Sequence, residues 1–186
     1  KITIDYKNKD FLIHGNGNIQ LQDFNDELSF VINKKNNIYD FKTLLKINKN
    51  PFMIDFLSFK KDENNKAVIN LSGSKILNQK LKFDLIQYKE KENIFKVEDL
   101  VLNKKMQIIK FKNIQSKYVN EDKKINDLEI TSKKNVYYLR STTFNAKKLI
   151  DNLINGESKE NTSKKNFKLD VKIDNFFLDN FNSIKD

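Results

Sequence analysis

The 186-residue sequence contains no cysteine and no tryptophan, and it has only one histidine, one proline and four glycines. Without cysteine the chain can form no disulfide scaffold, no thiolate zinc site and no cysteine nucleophile. The single histidine, His14, excludes a multi-histidine metal centre and leaves any histidine-centred triad dependent on one residue. The few glycines and prolines exclude collagen-like, proline-rich and glycine-linker classes. We therefore predict no catalytic residue, no metal site and no cofactor.

Positive charge is in excess, but it comes almost entirely from lysine. The chain has 35 basic and 25 acidic residues, a net charge of +10, and Arg140 is its one arginine. Surfaces that grip phosphates usually use arginine, whose planar fork binds them bidentately. Lysine pairs occur at predicted turns, such as Lys104-Lys105 and Lys123-Lys124. These pairs are typical of solvent-exposed turns or of surfaces that contact anionic lipid headgroups. We therefore expect no nucleic-acid partner.

Apolar residues alternate with polar ones along most of the chain, which is typical of strands with one apolar face. Short polar segments rich in Asn, Asp, Gly and Lys, such as 15–18, separate these runs and predict tight turns. The pattern predicts a mainly β fold, a long antiparallel meander of ten to thirteen strands, without a βαβ rhythm. If the meander forms a curved, groove-like sheet, the residues that line its groove are Leu28, Phe30, Ile32, Tyr39, Phe41, Leu45, Ile69, Leu71, Leu81, Phe83, Leu85, Phe95 and Val97.

One segment, near residues 145–155, departs from the alternation and predicts a short amphipathic helix. Asn145 is placed to cap its start, and Gly156 to end it in a left-handed conformation. We expect this helix to cap an edge of the sheet and limit unwanted strand pairing. Residues 157–166 contain no apolar side chain and predict a flexible loop. The apolar positions of the predicted helix, at i, i+3, i+4, i+7 and i+8, are Ala146, Leu149, Ile150, Leu153 and Ile154.

Two architectures satisfy strands with one apolar face. A closed sandwich or barrel buries the apolar faces against each other. A long curved sheet instead leaves its apolar face as a groove for an apolar ligand such as acyl chains. A slip of one residue in register would invert every face, so alternation alone leaves the inward-facing set open.

The last quarter of the chain contains a more specific pattern. The run F-N-A-K-K-L-I-D-N-L-I over 144–154 is followed by a polar segment and then by L-D-V-K-I-D over 169–174. This pattern resembles the AsmA-like proteins of Gram-negative envelopes, especially the YhdP type and more distantly the TamB type. In that family a strand leads into a short F-(D/N)-A-x-x-L-(I/L)-x-x-L helix, a variable loop and a similar strand. Asn145 stands where aspartate is common.

The resemblance implies a repeating β-groove that moves phospholipids between the inner and outer membranes without catalysis. It implies that residues 1–186 are a single β-groove segment, a fragment of a longer protein on the periplasmic side of the inner membrane. Its implied partners are phospholipid acyl chains, the inner membrane through an anchor outside this window, and further envelope proteins. Two alternatives remain open from the residues: a closed β-sandwich binding or adhesion module without lipid, and a basic nucleic-acid-binding module.

Overall fold

The fold is mainly β, with one long sheet that carries nearly all of the chain. The computed structural model describes residues 1–77, 79–133, 136–154, 168–178 and 182–185. Two short helical elements accompany the strands, the 3₁₀ turn η1 (Asp55–Leu57) and the helix α1 (Lys147–Ile154). The strands are β1 (Ile2–Lys7), β2 (Asp10–Gln20), β3 (Asn25–Lys35), β4 (Ile38–Ile47), β5 (Phe52–Ile54), β6 (Phe59–Lys61), β7 (Ala67–Ile76), β8 (Leu81–Glu90), β9 (Asn93–Leu102), β10 (Ile108–Lys110), β11 (Asn113–Val119), β12 (Ile125–Lys133), β13 (Val136–Asn145), β14 (Lys168–Phe177) and β15 (Ser183–Lys185).

Thirteen of these strands form one open, curved sheet. Its order is β1-β2-β3-β4-β7-β8-β9-β11-β12-β13-β14-β15, with β10 paired to β9. Strands β5 and β6 form a separate two-stranded hairpin between β4 and β7. The predicted mainly β meander is confirmed. In the described part of the chain the sheet does not close into a barrel, because its outermost strands β1 and β15 do not pair with each other. A closed sandwich is not formed there either, because the second described sheet has only the two strands β5 and β6.

The last large strand departs from the antiparallel meander. β14 pairs with β13 in parallel, from Val136 opposite Lys168 to Asn145 opposite Phe177. The chain leaves β13 through α1 and must return to the far end of the sheet before β14 begins. A parallel pair requires such a crossover, usually with a helix. The expectation that no βαβ unit occurs is therefore wrong at this one place.

The segment 15–18, predicted as a turn, instead lies in the middle of β2. Gly15 pairs with Phe30 and Gly17 pairs with Leu28 without interruption of the ladder. A Cβ on Gly15 would lie 2.7 Å from Cε1 of Phe30, so the ring lies over the glycine. Glycine in a strand often marks such a close approach. Here the glycines make room for an aromatic ring on the neighbouring strand.

Gly73 sits beside an irregularity that reverses the alternation of β8. Ser72 pairs with Leu85 but Gly73 pairs with Phe83, so Asp84 is an extra residue in a β-bulge. A Cβ on Gly73 would overlap the Lys82 carbonyl oxygen and lie 2.9 Å from Cζ of Phe41. The bulge brings the two backbones so close that only glycine fits.

We expect Gly73→Ala to lower the free energy of unfolding by about 1–3 kcal/mol, because the added methyl group meets backbone that cannot move away. Gly17→Ala is the matched control, since the nearest heavy atom to its Cβ is 3.9 Å away. The control is expected to be neutral or to stabilise by up to about 1 kcal/mol. Urea denaturation of both variants checks this, and equal losses at the two positions would contradict it.

A plug, defined as residues 52–61, covers one end of the sheet. It consists of β5, η1 and β6 and follows the end of β4. The ring of Phe59 is fully buried and contacts three rings of the sheet. The distance between ring centroids is 5.7 Å to Tyr88, 4.9 Å to Phe95 and 5.8 Å to Tyr118. The backbone N–H of Glu121 donates to the Ser58 carbonyl at 2.9 Å. We call the end covered by the plug the closed end of the sheet. The opposite end is the open end, and it carries the turns after β1, β3, β7, β9 and β12.

Candidate functional site

One face of the sheet carries an uninterrupted apolar row. Successive cross-strand neighbours on eleven strands, from β1 to β14, include no charged side chain. Cross-strand neighbours share a face of the sheet, so the row marks one continuous surface, here named the apolar face. The row is Ile2, Gly15, Phe30, Thr43, Leu71, Ile86, Val97, Ile114, Ile130, Leu139 and Val171.

The adjacent row on the opposite side, here named the polar face, has a different composition. It includes hydroxyl, amide and charged side chains on most strands. Ion pairs bind neighbouring positions on this face, among them Lys46–Glu27 at 2.9 Å and Lys96–Glu98 at 2.8 Å. The row is Thr3, His14, Val31, Lys42, Ser72, Leu85, Glu98, Asn113, Thr131, Tyr138 and Asp170.

The structure places twelve of the thirteen predicted groove residues together on the apolar face. Leu28 opposite Leu45 and Ile32 opposite Phe41 illustrate the register. Each of the twelve side chains is partly exposed. Three of them, Leu45, Ile69 and Phe95, pack against the buried cluster beneath the plug and therefore lie at the closed end of this face. These residues are Leu28, Phe30, Ile32, Tyr39, Phe41, Leu45, Ile69, Leu71, Leu81, Phe83, Phe95 and Val97.

Leu85 is the exception, and the structure places it on the polar face opposite Ser72. The prediction continued the alternation from Leu81 and Phe83, but the bulge at Asp84 shifts the following residues by one. Strict alternation would place Leu85 on the apolar face, but after the bulge Ile86 and Tyr88 occupy that face instead. Sequence reasoning missed Ile86 for this reason. The adjoining apolar residues Leu85 and Ile86 are not a sufficient signal, since Leu44 and Leu45 adjoin in β4 without a bulge.

Toward the open end, the apolar face forms a cavity of about 460 Å³. Its wall combines aromatic and aliphatic side chains, and Lys75 is its only charged residue. Phe41 and Phe83 lie edge to face with ring centroids 5.7 Å apart and continue this wall along the sheet. The lining residues are Leu28, Phe30, Ile32, Tyr39, Phe41, Thr43, Lys75, Leu77 and Leu81. Such a surface is suited to an apolar ligand with a polar or anionic group near the lysine.

A second cavity, of about 620 Å³, opens on the polar face. Polar side chains that include Ser29, Lys42, Asn70, Ser72 and His14 line it. Its five apolar side chains are Val31, Leu44 and Leu85 of the polar face and Phe30 and Leu71 of the apolar face. No carboxylate lines this cavity, so His14 has no acidic side chain there to orient it for general acid–base chemistry. In the described residues no group of three or more histidine, cysteine or acidic side chains is arranged to hold a metal ion.

At the closed end, polar side chains are buried between the plug and the sheet. Asp26 accepts hydrogen bonds from the Asn48 N–H and from Nδ2 of Asn50, both at 2.7 Å. Lys61, on the plug, is fully buried and donates to the Asp62 carbonyl at 3.1 Å. Burial lowers the pKa of the Lys61 ammonium, and the charges of Glu90 and Asp26 oppose that shift. Protein fills the space between the plug and the sheet at this end. A separate cavity of about 460 Å³ lies beside it and is lined mainly by charged and amide side chains, among them Lys60, Glu90 and Lys123.

The helix α1 lies beside the plug. Lys148 forms an ion pair with Asp55 of η1 at 3.4 Å, and Ala146, just before the helix, is fully buried. Asn145 Oδ1 accepts from the Lys147 N–H at 3.0 Å, consistent with its predicted capping role. The outermost strands of the described sheet are β1 and β15, and the edge-capping role of the helix stays a prediction. Ile150 is half-buried, whereas Leu149 and Ile154 are exposed.

Two parts of the helical prediction lie outside the described residues. They are the loop 157–166 with Gly156, and the side chain of Leu153. The helix as observed, Lys147–Ile154, begins two residues after Asn145. Nowhere in the described ranges does a helix have both the length and the apolar character that crossing a bilayer requires.

Tyr118 carries a buried hydroxyl that has no hydrogen-bond partner among the described residues. Burial raises the pKa of the Tyr118 phenol above its usual value of 10.0. Burial also raises the pKa of Tyr88, whose hydroxyl donates to Oε2 of Glu90 at 2.7 Å. A raised folded-state pKa contributes stability that is complete below pH 10 and is lost as the pH rises toward that pKa.

We expect Tyr118→Phe to raise the free energy of unfolding by about 1 kcal/mol at pH 7, because it removes an unpaired buried polar group. Above pH 10 the variant should lose stability less steeply, by about 1.4 kcal/mol per pH unit. Tyr88→Phe is the control and should lose stability at pH 7, since Glu90 then loses a donor. Urea denaturation from pH 7 to pH 11 checks both, and an unchanged alkaline slope in Tyr118→Phe would contradict the assignment.

No protein-family model matches the chain, and comparisons with curated proteins and with solved structures give no match. The candidate site therefore rests on the chain's own residues: one continuous, partly exposed apolar face, closed by a plug at one end and open at the other.

Proposed function

We propose that this protein holds phospholipid acyl chains on its apolar face and belongs to a lipid-transfer system of the AsmA/YhdP type. The observation that carries the proposal is the apolar row across eleven strands. Large exposed apolar surfaces are costly in water and usually mark a binding site. An acyl chain that covers this surface gains about 0.8 kcal/mol for each buried methylene.

The shape of the ligand follows from the distribution of polar groups. The apolar face offers almost no hydrogen-bonding side chains along its central row, so it does not select a polar ligand by directed bonds. Polar side chains on the opposite face keep the outside of the sheet in water. A sheet of this kind lets an acyl chain move from strand to strand without crossing a polar barrier. Transfer on such a surface needs no catalytic residue.

The proposal extends to the cellular setting that the resemblance implies. In it, the chain is a segment of a longer envelope protein on the periplasmic side of a Gram-negative inner membrane, with other envelope proteins as partners. The helix and strand motifs at 144–154 and 169–174 support this part of the proposal. The open sheet and its single apolar face support the groove.

Mass spectrometry of lipid extracted from the purified native protein tests the proposal. Phospholipid should be recovered in a reproducible ratio to protein and should survive gel filtration in detergent-free buffer. Protein that is monomeric, folded and free of lipid would favour a binding or adhesion module instead.

A further inference from the structure

The net charge of the chain is concentrated at one end of the sheet. Segments at the open end, namely 7–10, 34–38, 75–80, 103–112 and Lys133, contain eleven lysines and one acidic residue, Asp10. Segments at the closed end, namely 21–24, 48–66, 91–92, 120–124 and 146–154, contain nine lysines and eight acidic residues. The net charge of +10 thus lies mainly at the open end, where the apolar face is uncovered.

The lysines at the open end are not neutralised by neighbouring carboxylates. Within the described ranges, none of these eleven lysines forms an ion pair within 4.0 Å, whereas lysines on the polar face and at the closed end do. Ammonium groups without an ion-pair partner on adjacent turns create a local positive potential that attracts anions.

The β9–β10 hairpin adds exposed apolar side chains to this charge. Met106, Ile108 and Ile109 are 61%, 55% and 54% exposed. Lysines flank them on both sides at 104, 105, 110 and 112, and no acidic residue occurs between 100 and 120. Exposed apolar side chains interleaved with lysine are the composition of segments that lie in a membrane interface.

The hairpin is ordered rather than loose. Asn103 Oδ1 accepts from the Lys105 N–H at 2.9 Å and from the Gln107 N–H at 3.0 Å. Met106 occupies a left-handed backbone conformation, with φ of 59°, at the tip of this turn. A non-glycine residue in that conformation is strained and persists only where its surroundings hold it. The turn therefore presents Met106 outward in a fixed position.

We propose that the open end docks on the surface of an anionic phospholipid bilayer, with Met106, Ile108 and Ile109 inserted among the headgroups. The surrounding lysines contact the anionic lipid phosphates. Neither signal alone gives stable attachment, but charge and apolar insertion together do. Docking in this orientation places the uncovered apolar face next to the lipid surface and the neutral closed end away from it. This inference rests on the charge distribution and holds whether or not the apolar face carries lipid.

Co-sedimentation with vesicles tests the docking surface. The purified chain should bind vesicles in which a third of the phosphatidylcholine is replaced by phosphatidylglycerol, and should bind pure phosphatidylcholine far less. Removing three charges by Lys104→Gln, Lys105→Gln and Lys110→Gln should weaken binding about a hundredfold at low salt, at roughly fivefold per lysine. The matched control is Lys66→Gln, Lys91→Gln and Lys123→Gln, three exposed lysines at the closed end. The control should bind as the native protein does.

Two further arms identify the bound surface. Met106→Ser, Ile108→Ser and Ile109→Ser should abolish the binding that remains at high salt, where charge is screened. Equal losses in the open-end and closed-end lysine variants would overturn the proposal, because they would show attraction by net charge alone. Tighter binding to DNA than to anionic vesicles would also overturn it and assign the surface to nucleic acid.

The docking proposal and the groove proposal fail independently. Lysine variants at the open end should retain any lipid that co-purifies with the native protein. A lipid-free protein that still docks on anionic vesicles supports the docking surface and removes the groove function. A protein that carries lipid but does not bind anionic vesicles supports the groove function and contradicts the docking surface.

Discussion

Replacing Phe30, Phe41 and Phe83 together with aspartate is expected to remove co-purifying phospholipid while leaving the strand content unchanged. The three rings lie on the apolar face of β3, β4 and β8. A carboxylate beneath an acyl chain would have to be desolvated without a partner, and this costs several kcal/mol for each group. The summed desolvation cost of three such carboxylates exceeds the free energy that the neighbouring methylene groups gain on burial. Lipid mass spectrometry and circular dichroism of the variant check the two halves of the expectation.

The polar face supplies a matched control for this experiment. Val31, Leu44 and Leu85 lie on the same three strands but face the opposite side, where they line the 620 Å³ cavity. Val31→Asp, Leu44→Asp and Leu85→Asp therefore introduce the same charge and remove apolar side chains from the same strands. Lipid should be retained in this variant. An unchanged amount of bound lipid in the Phe30, Phe41 and Phe83 variant would contradict the groove proposal. Loss of lipid in both variants would show that added negative charge acts wherever it is placed on the sheet.

Phe59→Ala is expected to cause the largest loss of stability of any single substitution considered, about 3–5 kcal/mol. The ring is fully buried and contacts the rings of Phe52, Tyr88, Phe95 and Tyr118. Its removal leaves a cavity between the plug and the sheet, and those four rings cannot all move to fill it. Amide hydrogen exchange should then rise across residues 52–61 before it rises elsewhere, because the plug detaches first.

The plug also contains its own control. Phe56 is 57% exposed in the same segment, within η1. Phe56→Ala should change the free energy of unfolding by less than about 0.5 kcal/mol, as exposed positions usually do. Urea denaturation distinguishes the two variants. Similar effects at Phe59 and Phe56 would mean that the plug does not hold the closed end together.

The strand content and the meander could be predicted because alternation reports directly on strands with one apolar face. Every predicted groove residue except Leu85 occupies the face that strict alternation assigns to it. Alternation cannot report an inserted residue such as Asp84, since a bulge is set by contacts between strands rather than within one. The same limit explains Gly15, whose role depends on a ring in the next strand.

The closed end was less accessible to sequence reasoning. Phe52, Ile54 and Phe59 form a short apolar run that reads equally well as another strand of the sheet. Only the three-dimensional arrangement shows that these side chains cover the sheet instead of extending it. The position of α1 depends in turn on this plug, through the Lys148–Asp55 pair. An element that packs on other elements cannot be located from its own pattern.

The order of the strands also has a consequence for how the chain folds. From β1 to β4 and from β7 to β13, each strand pairs with a partner close to it in sequence, across β10 at one step and otherwise across a short turn. Short loops close at little entropic cost, so these hairpins can form early and add to one another. The β13–β14 pair instead joins residues 32 positions apart, from Val136 to Lys168. We expect β14 and β15 to join last, and the sheet to grow outward from its hairpins toward that edge.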